Sequence, residues 1–301
     1  MNEDQLKKPS EELGYEDVLI SIANPETAKQ LVTLAHHLTT HQSTFHIVNV
    51  TRKGSFLEEE RSWRQGSELV MDTTHYAQRL SRVAKPVSAT SSSIPKGILN
   101  SAEGVGADLI LMGWFGRITP ISVRRSSVVN KVLHKAPCDV GVLKSRKDLE
   151  NVEKILLPVG PRKPKPKRLA VFDSLLKQSG AKGNMIHVLT PDTSNEDAED
   201  VASERLNEAK KMLPSDVETR VIQANSVLHG LLKGSETADL IVIGPGREWV
   251  FNRFLFGRTA DNLTNRVESS VLMFKGSEHK MVAWSKGLLK ALVDLAKRPF
   301  R

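Results

Sequence analysis

The sequence predicts an α/β protein with two doubly wound parallel sheets of five strands each, in tandem. Three observations support this prediction. Short apolar segments alternate along the chain with segments of helical periodicity. The segment 109–112 is apolar throughout and ends at Gly113, as a strand does when both faces of its sheet are covered. The same pattern recurs in the second half, where ADLIVIG at 238–244 repeats ADLILMG at 107–113.

The first half contains five predicted strands and four predicted helices. Asn24-Pro25 favours a turn and a helix start, so the first strand is expected to end just before it. Residues 51–66 are predicted to form a loop and residues 1–15 a disordered or fraying lead-in. The strands are predicted at 18–22, 45–50, 87–90, 109–112 and 140–143, and the helices at 28–38, 69–83, 94–105 and 127–134.

The second half repeats this order after a charged linker at 145–153. Its predicted elements include strands at 154–159, 185–189 and 218–223 and a helix at 198–212. The following pairs lie at a constant offset: Asp108 and Asp239, Gly113 and Gly244, Ser126 and Gly257, Val140 and Val271, Lys144 and Lys275. A constant offset through a loop, a helix and a strand indicates a tandem duplication. We expect one domain at 1–148, a second at 149–276 and a tail at 277–301.

Composition and charge narrow the classes of function. The net charge of +8 suits nucleic acid, but aromatic residues make up only 5% and no nucleic-acid motif occurs, so we predict no nucleic-acid partner. No apolar run is long enough to cross a membrane, and the polar N-terminus is unlike a secretory signal. Cys138 is the single cysteine, which fits a small buried residue in a reducing compartment. We therefore expect a cytoplasmic protein.

The candidate binding site of each half lies at the ends of its first and fourth strands. In a doubly wound sheet of order 3-2-1-4-5, a ligand binds where the strand order reverses. Free N–H groups of the helix that follows the glycine segment would favour an anion there. The candidate residues are Ala23, Asn24, Gly113, Gly116, Ser126 and Ser127 in the first half and Pro158, Gly160, Gly244 and Arg247 in the second.

These residues resemble the universal stress protein family, whose hallmark is G-x2-G-x9-G-[S/T] between an apolar strand and a helix. The resemblance extends over about residues 15–276 and is strongest to tandem versions found as cytosolic tails of amino-acid and ion transporters. It implies a Rossmann-like, adenine nucleotide alpha hydrolase-like fold that binds ATP or another adenine nucleotide, with Mg²⁺ accompanying the nucleotide. The matching residues are Gly113, Gly116, Ser126, Ser127 and Val128, and then Gly244, Arg247, Gly257, Arg258 and Thr259.

The resemblance also assigns roles by position. The family's nucleoside-binding aspartate falls on Ala23 and Gly160, so neither half keeps that acid. The strand position whose backbone contacts adenine falls near Val50 and Val188. Ser126 replaces the glycine that opens the helix in the first half, which adds a Cβ beside the phosphate position.

The second half departs further from the family pattern. Arg247 replaces the second glycine and Arg258 replaces the hydroxyl residue, for which Thr259 is the stand-in. Arg247 either reaches a phosphate or fills the empty pocket itself. The first half is therefore the better candidate for a nucleotide site, and the second is interpreted as a pseudo-site.

Two functional hypotheses follow. The first is a non-enzymatic stress-response or regulatory module that binds a nucleotide and passes its occupancy to a partner such as a transporter. The alternative is a structural module with degenerate sites that dimerises and docks on a partner or membrane without nucleotide. No Ser-His-Asp order, paired carboxylates or HExxH motif occurs, so ATP hydrolysis is expected to be slow at most.

The interaction surfaces are predicted as follows. The fifth strands of the two halves would pair edge to edge and form an intramolecular pseudo-dimer, which removes exposed strand edges. Whether two such chains form a homodimer is left open. The basic amphipathic tail at 279–301 either contacts a transporter or the inner face of the membrane, or packs on its own domain.

Two further clusters are given structural interpretations. The basic run GPRKPKPKR at 160–168 is interpreted as a solvated linker rather than an anion-binding loop. His36, His37, His41 and His46 are interpreted as an exposed surface cluster rather than a metal site, because no Cys or Glu completes a ligand pattern. His187 lies in a predicted strand and is expected to be a core or edge residue.

Overall fold

The computed structural model describes residues 13–114, 127–162, 165–193, 197–245 and 258–277. The strands are β1 (Asp17–Ser21), β2 (Thr44–Arg52), β3 (Val83–Ser91), β4 (Leu109–Gly113), β5 (Asp139–Lys144), β6 (Lys154–Pro158), β7 (Lys182–Leu189), β8 (Val217–Gln223), β9 (Leu240–Ile243) and β10 (Ser270–Lys275). The helices are α1 (Pro25–Leu38), α2 (Phe56–Arg79), α3 (Ile94–Val105), α4 (Ser127–Lys135), α5 (Pro166–Ser179), α6 (Ala198–Lys211), α7 (Val227–Ser235) and α8 (Arg258–Arg266).

The ten strands form one continuous sheet in the order β3-β2-β1-β4-β5-β10-β9-β6-β7-β8. All pairs within a half are parallel, and each half has the predicted order 3-2-1-4-5. The two halves join through β5 and β10, which pair antiparallel with Leu143 opposite Leu272. The α/β class and the strand order are therefore confirmed, and the two predicted sheets are joined into one.

Helices cover both faces of this sheet, and each face has its own core. On one face α1, α2, α5 and α6 pack on the strands, with Leu31 and Phe172 among the fully buried side chains. On the other face α3, α4, α7 and α8 do the same, with Ile98 and Leu263 buried. Both clusters contain residues of the two halves, so the hydrophobic effect stabilises the halves together, at about 1.5–3 kcal/mol for each large side chain buried.

The aspartate of the repeated ADLI motif has a structural role in both halves. Oδ2 of Asp108 accepts hydrogen bonds from the main-chain N–H groups of Glu16 and Asp17, at 3.0 and 3.2 Å. Oδ2 of Asp239 accepts from Glu153 and Lys154 in the same way, both at 3.0 Å. Each carboxylate thus fixes the start of the first strand of its half against the fourth strand.

The predicted loop at 51–66 is wrong, because α2 already begins at Phe56. The first ten residues of α2 are nearly all exposed, and Phe56 and Leu57 are 80% and 76% exposed. This part of the helix buries no stripe, so the sequence shows no amphipathic period there. Good helix formers and the acidic residues Glu58 and Glu59 in the first turn favour the helix instead. The same helix ends at Arg79, which lets β3 begin earlier than predicted.

The histidines of α1 and β2 do not form the predicted exposed cluster. His37 and His46 are buried, and each has its own partner: Nε2 of His37 contacts Leu149 O at 3.2 Å, and Nε2 of His46 contacts Oδ1 of Asp17 at 2.8 Å. Nδ1 of His36 accepts a hydrogen bond from Nε of Arg82 at 2.9 Å. No cluster of metal-ligating side chains occurs within the described residues.

Candidate functional site: the two carboxyl edges of the sheet

Each half has one topological switch point, between β1 and β4 in the first half and between β6 and β9 in the second. The chain leaves both strands of each pair at the same edge because the pairs are parallel. We call Ala23, Asn24, Thr27 and Gly113 the first-half edge, and Gly160, Arg168 and Gly244 the second-half edge. These are the places where a doubly wound sheet binds its ligands.

The first-half edge is lined by small residues. Ala23 is exposed, and Gly113 ends β4 half-buried. Asn24 caps α1, because its side-chain oxygen accepts a hydrogen bond from Thr27 N at 3.0 Å. Nδ2 of Asn49 donates to Ile22 O at 2.9 Å and so fixes the segment between β1 and α1. The result is a capped helix start after β1, at the same edge of the sheet as the glycine that ends β4.

The predicted adenine positions lie at equivalent places in the two halves. Val50 is buried near the end of β2, and a Cβ on Gly97 of α3 would overlap its side chain. In the same way, a Cβ on Gly230 of α7 would overlap Val188 of β7. Gly97 and Gly230 are therefore both needed for helix–strand packing. The side chains of Val50 and Val188 pack on α3 and α7, so the main chain is the part of each residue that could contact adenine.

The second-half edge contains an arginine that sequence reasoning did not single out. α1 and α5 both have 14 residues and both begin on proline, which places Arg168 at the position that Thr27 has in the first half. The guanidinium reaches the end of β9, where a Cβ on Gly244 would overlap Nη1 of Arg168. Burial lowers the pKa of Arg168. Its Nε is buried and has no hydrogen-bond partner within the described residues.

The basic run at 160–168 is not the solvated linker that was predicted. Its last residues form the first turn of α5 and are held in place. Nζ of Lys167 lies 2.8 and 3.0 Å from the two carboxylate oxygens of Asp139, which is 2% exposed. The visible signal was Pro166, since proline is favoured at the first position of a helix.

Asp139 connects the two halves at this edge. Besides Lys167, it accepts hydrogen bonds from Tyr15 Oη at 2.8 Å and from Ser277 N at 2.7 Å. Burial, and then the neighbouring Asp139 carboxylate, raise the pKa of Tyr15 well above its ordinary value. Because β5 and β10 are antiparallel, the amino end of one lies beside the carboxyl end of the other. A first-half carboxylate thereby positions the first turn of α5 at the second-half edge.

The remaining predicted site residues are divided by what the structure describes. Gly116, Ser126, Arg247 and Gly257 lie outside the described residues, as does the tail at 279–301. Helices begin at Ser127 and Arg258, which agrees with a helix start after each glycine segment. Val128 is half-buried, Thr259 and Gly160 are exposed, and Pro158 ends β6 half-buried. His187 is buried in β7, as expected.

The strand order defines a tandem α/β protein of the doubly wound class, with one topological switch point in each half. Residues 14–144, which span the first half, match the universal stress protein family. Five strands in the same order follow in the second half, which is consistent with a tandem arrangement.

One curated relative is an ion transporter. The chain is 24% identical over 266 residues to the Na⁺/H⁺ antiporter NhaS5 of Synechocystis sp.. The match covers 85% of this chain but only 38% of the antiporter, so the chain spans less than two fifths of that relative. Within the part of the chain that the structure describes, we find no helix with the length and apolar character to cross a membrane.

Solved structures share the fold over most of the chain. A universal stress protein from Archaeoglobus fulgidus superposes with a TM-score of 0.66 at 17% identity, covering 89% of this chain and 98% of that one. The cytoplasmic domain of a prokaryotic cation chloride cotransporter gives a TM-score of 0.62 at 13% identity and covers 89% of this chain and 99% of that one. At these identities the likeness establishes the fold.

Proposed function

We propose that this chain is a non-enzymatic sensor module whose first half binds an adenine nucleotide, ATP or AMP. The observation that supports it best is the difference between the two edges. The first-half edge has Ala23, Thr27 and Gly113, whereas the second-half edge has Arg168 against Gly244. The half with the small residues is also the half that matches the universal stress protein family.

The residues of the first-half edge divide the work of binding. The main chain at Val50 would contact the adenine, and the glycine segment from Gly113 with the start of α4 would hold the phosphates. The family's aspartate position is taken by Ala23, so contact with the ribose would come from main-chain groups there. Mg²⁺ would accompany the nucleotide on its own phosphate oxygens.

The partner in this proposal is a transporter at the cytoplasmic face of a membrane. Most of the chain aligns with part of an antiporter, and a cotransporter's cytoplasmic domain has the same fold. Nucleotide occupancy would change the surface that the first-half edge presents to the transporter. The basic tail at 279–301, outside the described residues, would lie towards the membrane or the transporter.

A second candidate function is an interaction module that dimerises without nucleotide. The exposed start of α2 favours it, because Phe56, Leu57 and Trp63 are exposed large apolar side chains on one helix. In that case a second copy of the chain or a partner would cover these residues. Sedimentation velocity of the full chain and a Phe56→Ser/Leu57→Ser variant would detect such a dimer.

Titration calorimetry with ATP and AMP tests the nucleotide proposal. Thr27→Arg gives the first-half edge the residue that the second-half edge has, so we expect affinity to fall about tenfold or more. Gln42→Arg adds the same charge at an exposed position and should leave affinity unchanged. Equal affinity of the wild type and Thr27→Arg, or no binding of either nucleotide by the wild type, would contradict the proposal.

A further inference from the structure

We infer that the second-half edge is an oxyanion site in which the guanidinium of Arg168 binds a single phosphate group. Arg168 replaces the small residue of the first half with a fixed positive charge at the same place in the fold. The ligand is a single free phosphate group, for which inorganic phosphate is the probe. This inference is independent of nucleotide binding by the first half.

The environment of Arg168 is unfavourable for a charged side chain. Nε of Arg168 is buried and lacks an acceptor within the described part of the chain, and burial lowers the pKa of the group. A guanidinium stays charged at neutral pH even so. A buried charge without a counter-ion is unfavourable, and a bound anion offsets that cost. Arg168 therefore has hydrogen-bonding capacity left over at a known ligand-binding position of this fold.

Asp139 is a charged group that is fixed at this edge by its partners. The carboxylate brought here by the first half is Asp139, and it is already bound by Lys167, Tyr15 and Ser277 N. It is not bonded to Arg168. The charge of Asp139 is thus already matched by Lys167, so this carboxylate leaves the guanidinium of Arg168 available to an anion.

The start of α5 lacks the side-chain cap that α1 has. In the first half Asn24 caps α1 with its side-chain oxygen, which satisfies a main-chain N–H group. The corresponding residue before α5 is Lys165, whose side chain makes no capping hydrogen bond and has no acceptor oxygen. An anion held by Arg168 at the first turn of α5 would also be stabilised by the positive end of that helix.

The second-half edge is selective for a small group. The guanidinium lies so close to the end of β9 that a Cβ on Gly244 would overlap Nη1. In the first half the third residue of α1 is Thr27, whose side chain is much shorter. Arg168 thus takes up room at the second-half edge and leaves its charge as the recognition element. A planar guanidinium with paired N–H groups matches the oxygens of one phosphate group.

The experiment compares inorganic phosphate with chloride at equal ionic strength, using the full chain. Thermal unfolding and ³¹P line width are measured for the wild type, Arg168→Met and Arg162→Met. We expect phosphate to raise the melting temperature of the wild type and of Arg162→Met, and phosphate affinity to fall about tenfold or more in Arg168→Met. In chloride alone Arg168→Met should melt higher than the wild type, because it removes a half-buried charge whose Nε has no acceptor within the described residues.

Gly244→Ala provides a second variant if Arg168→Met does not fold. Its Cβ would displace the guanidinium, and we expect phosphate binding to be lost while Arg168 itself is retained. Titrating ATP into Thr27→Arg tests whether a nucleotide supplies the phosphate: we expect no binding, and ATP bound to that variant would assign a nucleotide to the second-half edge and contradict the inference. Equal phosphate stabilisation of wild type, Arg168→Met and Gly244→Ala would overturn the inference. A lower melting temperature of Arg168→Met in chloride would do so as well.

Discussion

The two carboxyl edges of the sheet share a backbone plan but differ in chemistry. In the first half an asparagine caps α1, and the third residue of that helix is the short Thr27. In the second half α5 starts without a side-chain cap, and Arg168 reaches Gly244. The fold depends on strand pairing and on the two core layers, so one residue in the first helical turn can change the ligand chemistry without changing the fold.

A carboxylate of the first half holds the second-half edge in place, and a different ion pair links the two halves at the opposite edge of the sheet. Lys167 of α5 is held by Asp139 of β5. At the opposite edge, Nζ of Lys147, which follows β5, pairs with Oδ1 of Asp239 at 2.8 Å. The first pair joins a helix start to a buried carboxylate, whereas the second involves two partly exposed groups. Charged contacts therefore join the two halves in addition to the pairing of β5 with β10.

The largest expected effect comes from removing the carboxylate of Asp139, which connects the two halves at the second-half edge. Asp139→Ala leaves Lys167, the Tyr15 hydroxyl and Ser277 N–H without their acceptor, and we expect the free energy of unfolding to fall by about 2–4 kcal/mol. Urea denaturation measures this change. Asp216→Ala is the matched control, because its ion pair with Lys210 is exposed and should contribute nothing measurable. Equal stability of the two variants would show that Asp139 does not connect the halves.

The next effect tests whether the two halves use the same helix–strand packing. Gly97→Ala and Gly230→Ala each place a Cβ on a valine side chain, so each should destabilise the protein by about 1–3 kcal/mol. Gly104→Ala is the control within α3, where a Cβ meets nothing within 4 Å and alanine is the better helix former. Rescue of Gly97→Ala by Val50→Ala would confirm the contact, and no loss in either glycine variant would refute it.

A smaller effect is expected from pH and lies mainly in the first half. Burial and the adjacent Arg82 guanidinium lower the pKa of His36 to about 4, from an ordinary value of 6.5. The unfolded chain therefore takes up this proton first as pH falls, so the contribution of neutral His36 to stability is lost between about pH 6.5 and 4. Chemical denaturation at a series of pH values should show a shallower decline for His36→Gln than for the wild type. Parallel curves would contradict this assignment.

Much of the fold could be predicted because it depends on local and repeated signals. The apolar segments before Gly113 and Gly244 and their constant offset gave the order of both halves, which the sheet confirms. The exposed start of α2 was missed because its residues bury no face, so the pattern on which the prediction relied is absent there. Strand pairing between the halves followed from the need to cover exposed edges.

The chemistry of the second-half edge could not be predicted in the same way. The basic run at 160–168 showed the number of charges but not where α5 begins. That starting point decides that Lys167 meets Asp139 and that Arg168 reaches Gly244. Asp139 corresponds to Ser270 in the repeat, and its partners Tyr15 and Ser277 lie far away in sequence, so no local pattern announces it.

The central claim is that only the first-half edge binds an adenine nucleotide. The most direct measurement is the stoichiometry of ATP binding to the full chain, by titration calorimetry of the wild type, Thr27→Arg and Arg168→Met. The account predicts a single nucleotide per chain for the wild type and Arg168→Met, and loss of that binding in Thr27→Arg. Two nucleotides bound per wild-type chain, or unchanged binding in Thr27→Arg, would contradict it.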